Sequence, residues 1–232
     1  FLLKYIMKLA VLLPGYLDSP DYRHMVMFEK MLRDIGYKVV RLDPGNLWKT
    51  GNIKNYSIHY YFNQIKQSIG KRNENIDEVI LIGHSLGGFM AIVAGSKLDG
   101  VTKIVSLCPP PSVTGLVNDE LEKIGYRTST RDLPDNPNKT RVFKVPISAF
   151  KEAEKYSALE EIKKINKPIM IFIAGEDESV PPEETEKLIS AAKVKPHVVK
   201  EPNMKHNFRL SRENTQKVAN HIKDFLILSN TH

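Results

Sequence analysis

"LIGHSLGGFM", residues 81–90, passes from an aliphatic run through a serine set among glycines and straight into an apolar segment, "FMAIVAG" at 89–95. Gly83, Ser85 and Gly87 form the pattern G-x-S-x-G. This spacing predicts a strand that reverses sharply into a helix, with the serine in strained backbone geometry. Side chains two positions either side of the serine would collide in so tight a turn, which accounts for the glycines. A serine held this way lifts its hydroxyl clear of the sheet, and the free N–H groups of the helix start face any anion developing beside it. The competing reading is a serine that only caps a helix.

A turn of this kind needs a buried strand before it and a buried helix after it, and the flanking sequence supplies that alternation repeatedly. Short aliphatic runs at 6–13, 37–43, 76–83, 101–108, 167–175 and 196–202 predict six strands. Segments of helical period separate them, at about 20–35, 57–69, 86–97, 157–165, 181–193 and 212–228. Ser157 and Glu160 have the capping-box spacing at the start of one of these helices. Strands alternating with helices give an α/β architecture, a mostly parallel sheet of about six strands with helices on both faces. The alternation breaks at 109–147, where three consecutive prolines, a short helical stretch near 116–124 and "TRDLPDNPNKT" hold too little apolar sequence for another strand-helix unit of the sheet. This stretch reads as an insertion at the C-terminal edge of the sheet, within a single domain spanning 1–232.

Composition bounds the function. A chain of 232 residues with 41% hydrophobic and 26% charged residues can bury a substantial core and is not of disordered composition. The net charge of +7 reads as a solvated basic surface, since the lysines are dispersed and no basic run interleaves with aromatics as a nucleic-acid groove requires. No segment approaches the roughly 20 apolar residues of a membrane span. Lys4 and Lys8 interrupt the N-terminal apolar stretch, which reads as a buried strand rather than a leader. The single cysteine, Cys108, excludes an internal disulfide and a cysteine-based metal site, and it points to a reducing cytoplasm. It follows an apolar strand and reads as a buried, inert thiol. The sequence holds no H-E-x-x-H, nucleotide-binding glycine motif or cysteine cluster, so neither a metal nor another cofactor is called for.

A serine hydroxyl needs a base to take its proton and a third group to orient that base. Seven histidines are available. His84 lies inside the turn and is not positioned to serve Ser85. His24, His59, His221 and His232 fall in helical or terminal contexts as surface or packing residues, and His197 opens a strand. His206 remains, in the polar loop "EPNMKHNF" between the last strand and the last helix, where loops at the C-terminal ends of strands gather. The carboxylate is expected after the preceding strand, where "IAGEDESVPPE" offers Glu176, Asp177 and Glu178.

Taken together, "GHSLGG", "GEDESVP" and "MKHNF" resemble the nucleophile turn, acid loop and histidine loop of the α/β-hydrolase superfamily, specifically its small serine esterase and lipase-like members. The resemblance covers most of the chain outside 109–147. It implies an α/β-hydrolase fold and a carboxylesterase-type serine hydrolase acting on a small-molecule ester; a thioesterase, a peptidase or an acyltransferase would use the same three groups, and a non-catalytic ligand-binding relative is the alternative class. Its D-x-x-V-P pattern selects Asp177, so that Ser85, Asp177 and His206 follow the family's order of nucleophile, acid and histidine. It further implies an oxyanion hole made by the backbone N–H groups of Leu86 and Tyr16, the latter in "LLPGYLDSP". Family members commonly carry His-Gly where this chain has Pro14-Gly15, which leaves the support of that loop to other residues. The antiparallel strand pair that typically precedes this loop is also missing, so a reduced sheet is expected. The stretch 109–147 sits where the family carries a cap, and it is expected to line the substrate pocket with Phe143, Val145, Ile147 and Phe150 beside it. Arg127, Arg131 and Arg141 belong to the same stretch and either join the cap over the pocket or lie at the surface as ordinary exposed cations.

Overall fold

The computed structural model describes residues 7–70 and 76–229. In chain order, β1 (Lys8–Leu13), α1 (Arg23–Asp34), β2 (Tyr37–Arg41), α2 (Leu47–Thr50), α3 (Ile58–Gly70), β3 (Glu78–His84), α4 (Leu86–Lys97) and β4 (Lys103–Leu107) form the first half. The second half comprises α5 (Asp119–Ile124), β5 (Tyr126–Asp132), β6 (Thr140–Pro146), α6 (Ile147–Ala153), α7 (Ala158–Ile162), β7 (Ile169–Ala174), α8 (Pro182–Ala191), β8 (His197–Glu201) and α9 (Arg212–Leu228). Every strand predicted for the sheet is present, with its ends within a few residues of those predicted. Ile6, the predicted start of β1, and His232 lie outside the described residues.

The main sheet has six strands in the order β2-β1-β3-β4-β7-β8, and every adjacent pair is parallel. Alternate residues of β1 serve opposite faces, as the period of a strand requires. Leu9, Val11 and Leu13 pack with Ile58, Tyr61 and Ile65 of α3, with α4 and with Ile162 of α7. Ala10 and Leu12 pack with Met25 and Phe28 of α1 and with Val218 and Ile222 of α9. Helix α4 is buried from Gly87 through Gly95, which explains why its sequence is apolar all round rather than on one stripe. Helix α7 starts as its capping spacing predicts, with Ser157 Oγ accepting from the Glu160 N–H at 3.2 Å.

The strand order positions the site. From β1 the chain moves outward to β2, then returns to the other side of β1 as β3. Loops leaving neighbouring strands in opposite directions open a crevice at the strands' C-terminal ends. Leu13 and Gly83 are register partners, so the loop after β1 and the turn after β3 begin side by side. Pro14–Asp18 therefore borders Ser85 although nearly seventy residues separate them in sequence.

No strand from 109–147 joins the main sheet, as expected, but the stretch is more regular than its sequence advertises. β5 and β6 pair antiparallel as a separate two-stranded sheet, in register from Tyr126 opposite Pro146 to Asp132 opposite Thr140. Phe143 and Val145 point inward, and with Ile147 and Phe150 they pack on Leu17, Leu47 and Tyr56. This third apolar cluster holds the hairpin and α6 against the loop after β1.

Candidate active site

Ser85 has φ +54° and ψ −119°, between the last residue of β3 and the first of α4. A non-glycine residue at positive φ costs about 1–3 kcal/mol and persists only where its surroundings enforce it. Here the Ser85 N–H donates to the Leu107 carbonyl at 2.8 Å, and the Ser85 carbonyl accepts from the Phe89 N–H at 3.0 Å. The flanking glycines meet a steric limit. A Cβ on Gly83 would lie 2.0 Å from the Gly87 carbonyl oxygen, and one on Gly87 would lie 2.0 Å from that of Leu13. The strand-turn-helix setting required by G-x-S-x-G is therefore present in full.

His206 follows β8, and its Nδ1 lies 2.6 Å from Asp177 Oδ2. Asp177 is itself buried and fixed, its Oδ1 accepting the N–H groups of Ser179 at 2.9 Å and Val180 at 2.7 Å. Glu176 and Glu178 are exposed, so of the three carboxylates offered by the sequence only Asp177 meets the imidazole. Ser85 and His206 line one cavity of about 540 Å³, yet among the described residues Ser85 Oγ makes no hydrogen bond. Serine and histidine thus share a cavity without being joined, and the histidine-carboxylate contact is already formed. A loose nucleophile-base contact is common in such sites before substrate arrives.

The backbone N–H groups of Tyr16 and Leu86 have no acceptor among the described residues, and both residues line the cavity. The loop that carries Tyr16 is held from several directions. Tyr61 donates its hydroxyl to the Pro14 carbonyl at 2.9 Å, and the Leu17 N–H donates to Tyr56 Oη at 2.7 Å. Trp48 Nε1–H donates to the Leu17 carbonyl at 3.1 Å. Arg131 closes the loop from the hairpin, donating through Nε at 2.9 Å and Nη2 at 2.6 Å to the Tyr16 carbonyl. Leu17 at φ +56° is the strained residue this scaffold enforces. Aromatic hydroxyls, an indole and a guanidinium thus support the loop without a histidine at position 14. Burial pushes the Tyr56 and Tyr61 phenols up, so both stay protonated donors or acceptors at neutral pH.

Two features of the insertion become specific here. Arg131 and Arg141 are not idle surface cations: Arg141 donates to the Trp48 carbonyl at 3.1 Å and lies 4.9 Å from the centre of its ring. They fasten the hairpin to the rest of the fold, a role invisible from a sequence in which their partners lie 93 and 115 residues away. The cavity wall also extends beyond 109–147. Val113, Leu116 and Val145 come from that stretch, whereas Phe150, Ile58 and Val180 come from α6, α3 and the acid loop.

Three histidines meet behind the cavity. His84 donates Nε2–H to the His206 carbonyl at 3.0 Å, and the two ring centres are 4.8 Å apart. Among the described residues its Nδ1 has no hydrogen-bond partner, and it lies 3.9 Å from Asp18 Oδ2. Burial, reinforced by His206 and His24, holds His84 well below the usual histidine range, so it is neutral. His24 is fully buried among Tyr22, Phe28, Phe208 and His84, and among the described residues neither ring nitrogen is paired. Burial, with a smaller push from Arg209, lowers its pKa to about 3. Asp18, also buried, is pushed up by desolvation, against which Arg131 and Arg209 act. Histidines scattered along the sequence therefore converge, and Asp18, His24 and His84 bring donor atoms within 4.8 Å of one another, as do His84, Cys108 and His206. Both trios include His84. The cationic Arg131 and Arg209 beside the first oppose a metal ion there. Burial and then Asp177 push the Cys108 thiol well up, which keeps it protonated. Elsewhere, His59 bonds Asn63, His221 bonds Glu201 at 2.7 Å, and His197 is exposed on β8.

Comparison with known proteins places this geometry in context. Residues 10–141 match the family model described as alpha/beta hydrolase fold. The mouse mitochondrial palmitoyl-protein thioesterase ABHD10 is 25% identical in an alignment of 183 positions that covers 74% of this chain and 59% of that protein. The chain thus spans less than two thirds of that relative. Among solved structures, ferulic-acid-bound Est1E from Butyrivibrio proteoclasticus superposes with a TM-score of 0.76 at 20% identity, covering 98% of this chain and 91% of that one. The monoacylglycerol lipase of Paleococcus ferrophilus gives 0.72 at 18%, covering 95% and 94%. At these identities the structures speak for the fold alone. A family match over more than half of the residues, on a six-stranded parallel sheet flanked by helices, establishes that the chain belongs to the α/β-hydrolase fold family.

Proposed function

We propose that the protein is a serine hydrolase that cleaves carboxylic esters of small to medium apolar or aromatic substrates through an acyl-enzyme. The observation that carries this reading is the 2.6 Å contact of His206 Nδ1 with buried Asp177, made beside a cavity that Ser85 also lines. In the proposed reaction Ser85 Oγ attacks the ester carbonyl carbon while its proton passes to His206 Nε2. Asp177 holds the Nδ1–H tautomer and stabilises the imidazolium. The Tyr16 and Leu86 N–H groups donate to the oxyanion, a contribution for which loss of one donor raises the barrier by about 3 kcal/mol. The C–O bond then breaks, the alcohol leaves with the proton from His206, and water repeats the sequence to release the acid. Residues 109–147 act as a cap on a single domain and shape the acyl or alcohol pocket.

A thioester substrate is the second reading, favoured by the thioesterase name of the curated relative. The same three groups serve either acyl donor. Cys108, a lone buried thiol, supports a reducing compartment such as the cytoplasm. The relative's name is that of a mitochondrial protein. Among the described residues no helix is long and apolar enough to cross a membrane.

The deciding experiment measures turnover of aryl esters and acyl thioesters by the wild type and by Ser85→Ala, with fluorophosphonate labelling mapped by mass spectrometry. Turnover lost in Ser85→Ala, with the label on Ser85, is expected. Ligand binding without turnover of any ester or thioester would instead mark a non-catalytic relative.

A further inference from the structure

Two arginines line the cavity, and only one of them is occupied. Arg131 is committed to the Tyr16 carbonyl and lies 3.4 Å from Asp18, the one carboxylate among the lining residues. Arg127 stands opposite Val145 on the hairpin, half-buried, with its guanidinium 5.5 Å from the centre of the Phe150 ring. Among the described residues it makes no ion pair and no hydrogen bond. The neighbouring hairpin arginines both fasten the insertion to the core, so this free fork is not explained by the same structural task.

We propose that Arg127 is a specificity-determining residue that receives a carboxylate or similar oxyanion carried by the substrate. This inference deepens the hydrolase reading above and rests on it. A guanidinium presents a planar set of N–H donors that matches a carboxylate in two parallel hydrogen bonds. Partial burial weakens the competition from water and strengthens such a pair relative to one on the open surface. The opposite charge balance holds for the rest of the wall: Asp18 is matched by Arg131, so Arg127 leaves the cavity with one uncompensated positive charge. Its charge reaches Tyr16, whose phenol is pushed up by burial and drawn back first by its hydrogen bond with Ser129 and then by Arg127 and Arg131. Ile58, Val113, Leu116, Val145 and Phe150 provide apolar wall for the portion between the anion and the reacting carbonyl. The substrate class that fits is an amphipathic ester with an apolar or aromatic body and a free acid group. The excess of basic residues over the whole chain, +7, favours the approach of such a molecule.

The test uses two matched pairs, so that an acid on the acyl side is separated from one on the alcohol side. 4-Nitrophenyl hydrogen adipate is compared with 4-nitrophenyl hexanoate, and 4-acetoxybenzoate with 4-acetoxybenzamide. In at least one pair the wild type is expected to prefer the charged member in kcat/KM. That preference is expected to fall about tenfold in Arg127→Gln, mainly through KM, to be partly kept in Arg127→Lys, and to shrink in 0.5 M salt. Binding of 4-acetamidobenzoate, measured by calorimetry in Ser85→Ala with and without Arg127→Gln, reads the anion site without catalysis, and weaker binding in the double variant is expected. An equal charged-to-neutral ratio in wild type and Arg127→Gln on both pairs, with binding that ignores residue 127, overturns the inference. Arg127-dependent binding in a protein that turns over no ester would instead count against the hydrolase reading.

Discussion

The imidazole of His84 donates Nε2–H to the backbone carbonyl of His206 at 3.0 Å, so the residue immediately before Ser85 grips the loop that presents the proposed base. The turn after β3 and the loop after β8 lie on strands separated by β4 and β7 in the sheet, and this hydrogen bond ties them directly. Since the carbonyl can only accept, the proton of His84 must sit on Nε2, and burial keeps the ring neutral. The contact fixes how far His206 can drift from Ser85, the one link among the three proposed catalytic groups that is open.

His84→Leu removes that donor while filling most of the volume. The expected result is a fall in kcat of about tenfold with a smaller change in KM, because a misplaced base affects the transition state more than binding. His84→Gln, which carries an N–H at a similar reach, should recover part of the loss. Steady-state kinetics of the two variants check this; equal losses in both would mean the ring matters only as packing.

Ser85→Gly is expected to abolish turnover yet raise stability by about 1 kcal/mol, since glycine adopts φ +54° without the strain serine carries. Denaturant midpoints of wild type, Ser85→Ala and Ser85→Gly make the comparison. Ser85→Ala, which keeps a Cβ, should show no comparable gain.

Gly83→Ala and Gly87→Ala each place a methyl 2.0 Å from a backbone carbonyl oxygen, and backbone cannot step aside as a side chain can. A loss of more than about 4 kcal/mol, or failure to accumulate folded protein, is expected for either. A near-normal melting temperature in Gly87→Ala would contradict the close approach of the turn to Leu13.

His24 makes a pH prediction with a definite sign. Its pKa is about 3 in the folded chain, against 6.5 for an ordinary histidine. Between these values the unfolded chain binds a proton that the folded chain refuses, so stability falls as pH drops below about 6.5 and continues to fall toward 3. A single group of this kind contributes a slope of up to about 1.4 kcal/mol per pH unit. His24→Phe, which suits the aromatic surroundings of Tyr22, Phe28 and Phe208, should flatten the acid limb by that amount. Urea unfolding at a series of pH values from 7 to 4 measures it.

How much of this was legible in advance varies with the range of the interaction concerned. The main sheet was readable because each of its strands is a buried run bounded by turn residues, and burial on both faces leaves a continuous aliphatic signal in β1, β3 and β7. The hairpin was not. β6 shows the alternation of a half-buried strand, with Phe143 and Val145 inward and Val142 and Lys144 outward, but β5 reads "YRTSTRD" and buries no residue completely. A strand stabilised by its partner and by cationic side chains over aromatic rings leaves little hydrophobic periodicity to find. The polar supports of the Tyr16 loop were equally hidden, because Tyr56, Tyr61, Trp48 and Arg131 look individually like ordinary core or surface residues.

By itself, then, the amino-acid order determined the strand-helix alternation, the strained turn at Ser85 and the requirement for Gly83 and Gly87. The alternation, the turn and the need for Gly83 follow from sterics among residues close in sequence, whereas Gly87 is required also by its approach to the Leu13 carbonyl, which the packing of β1 beside β3 creates. Folding in three dimensions decided which groups meet: Asp177 with His206, His84 with the carbonyl of His206, Arg131 with Tyr16, and Arg127 with the Phe150 ring. Such meetings depend on strand order and register, which bring together residues as many as 122 positions apart, and no local spacing encodes them.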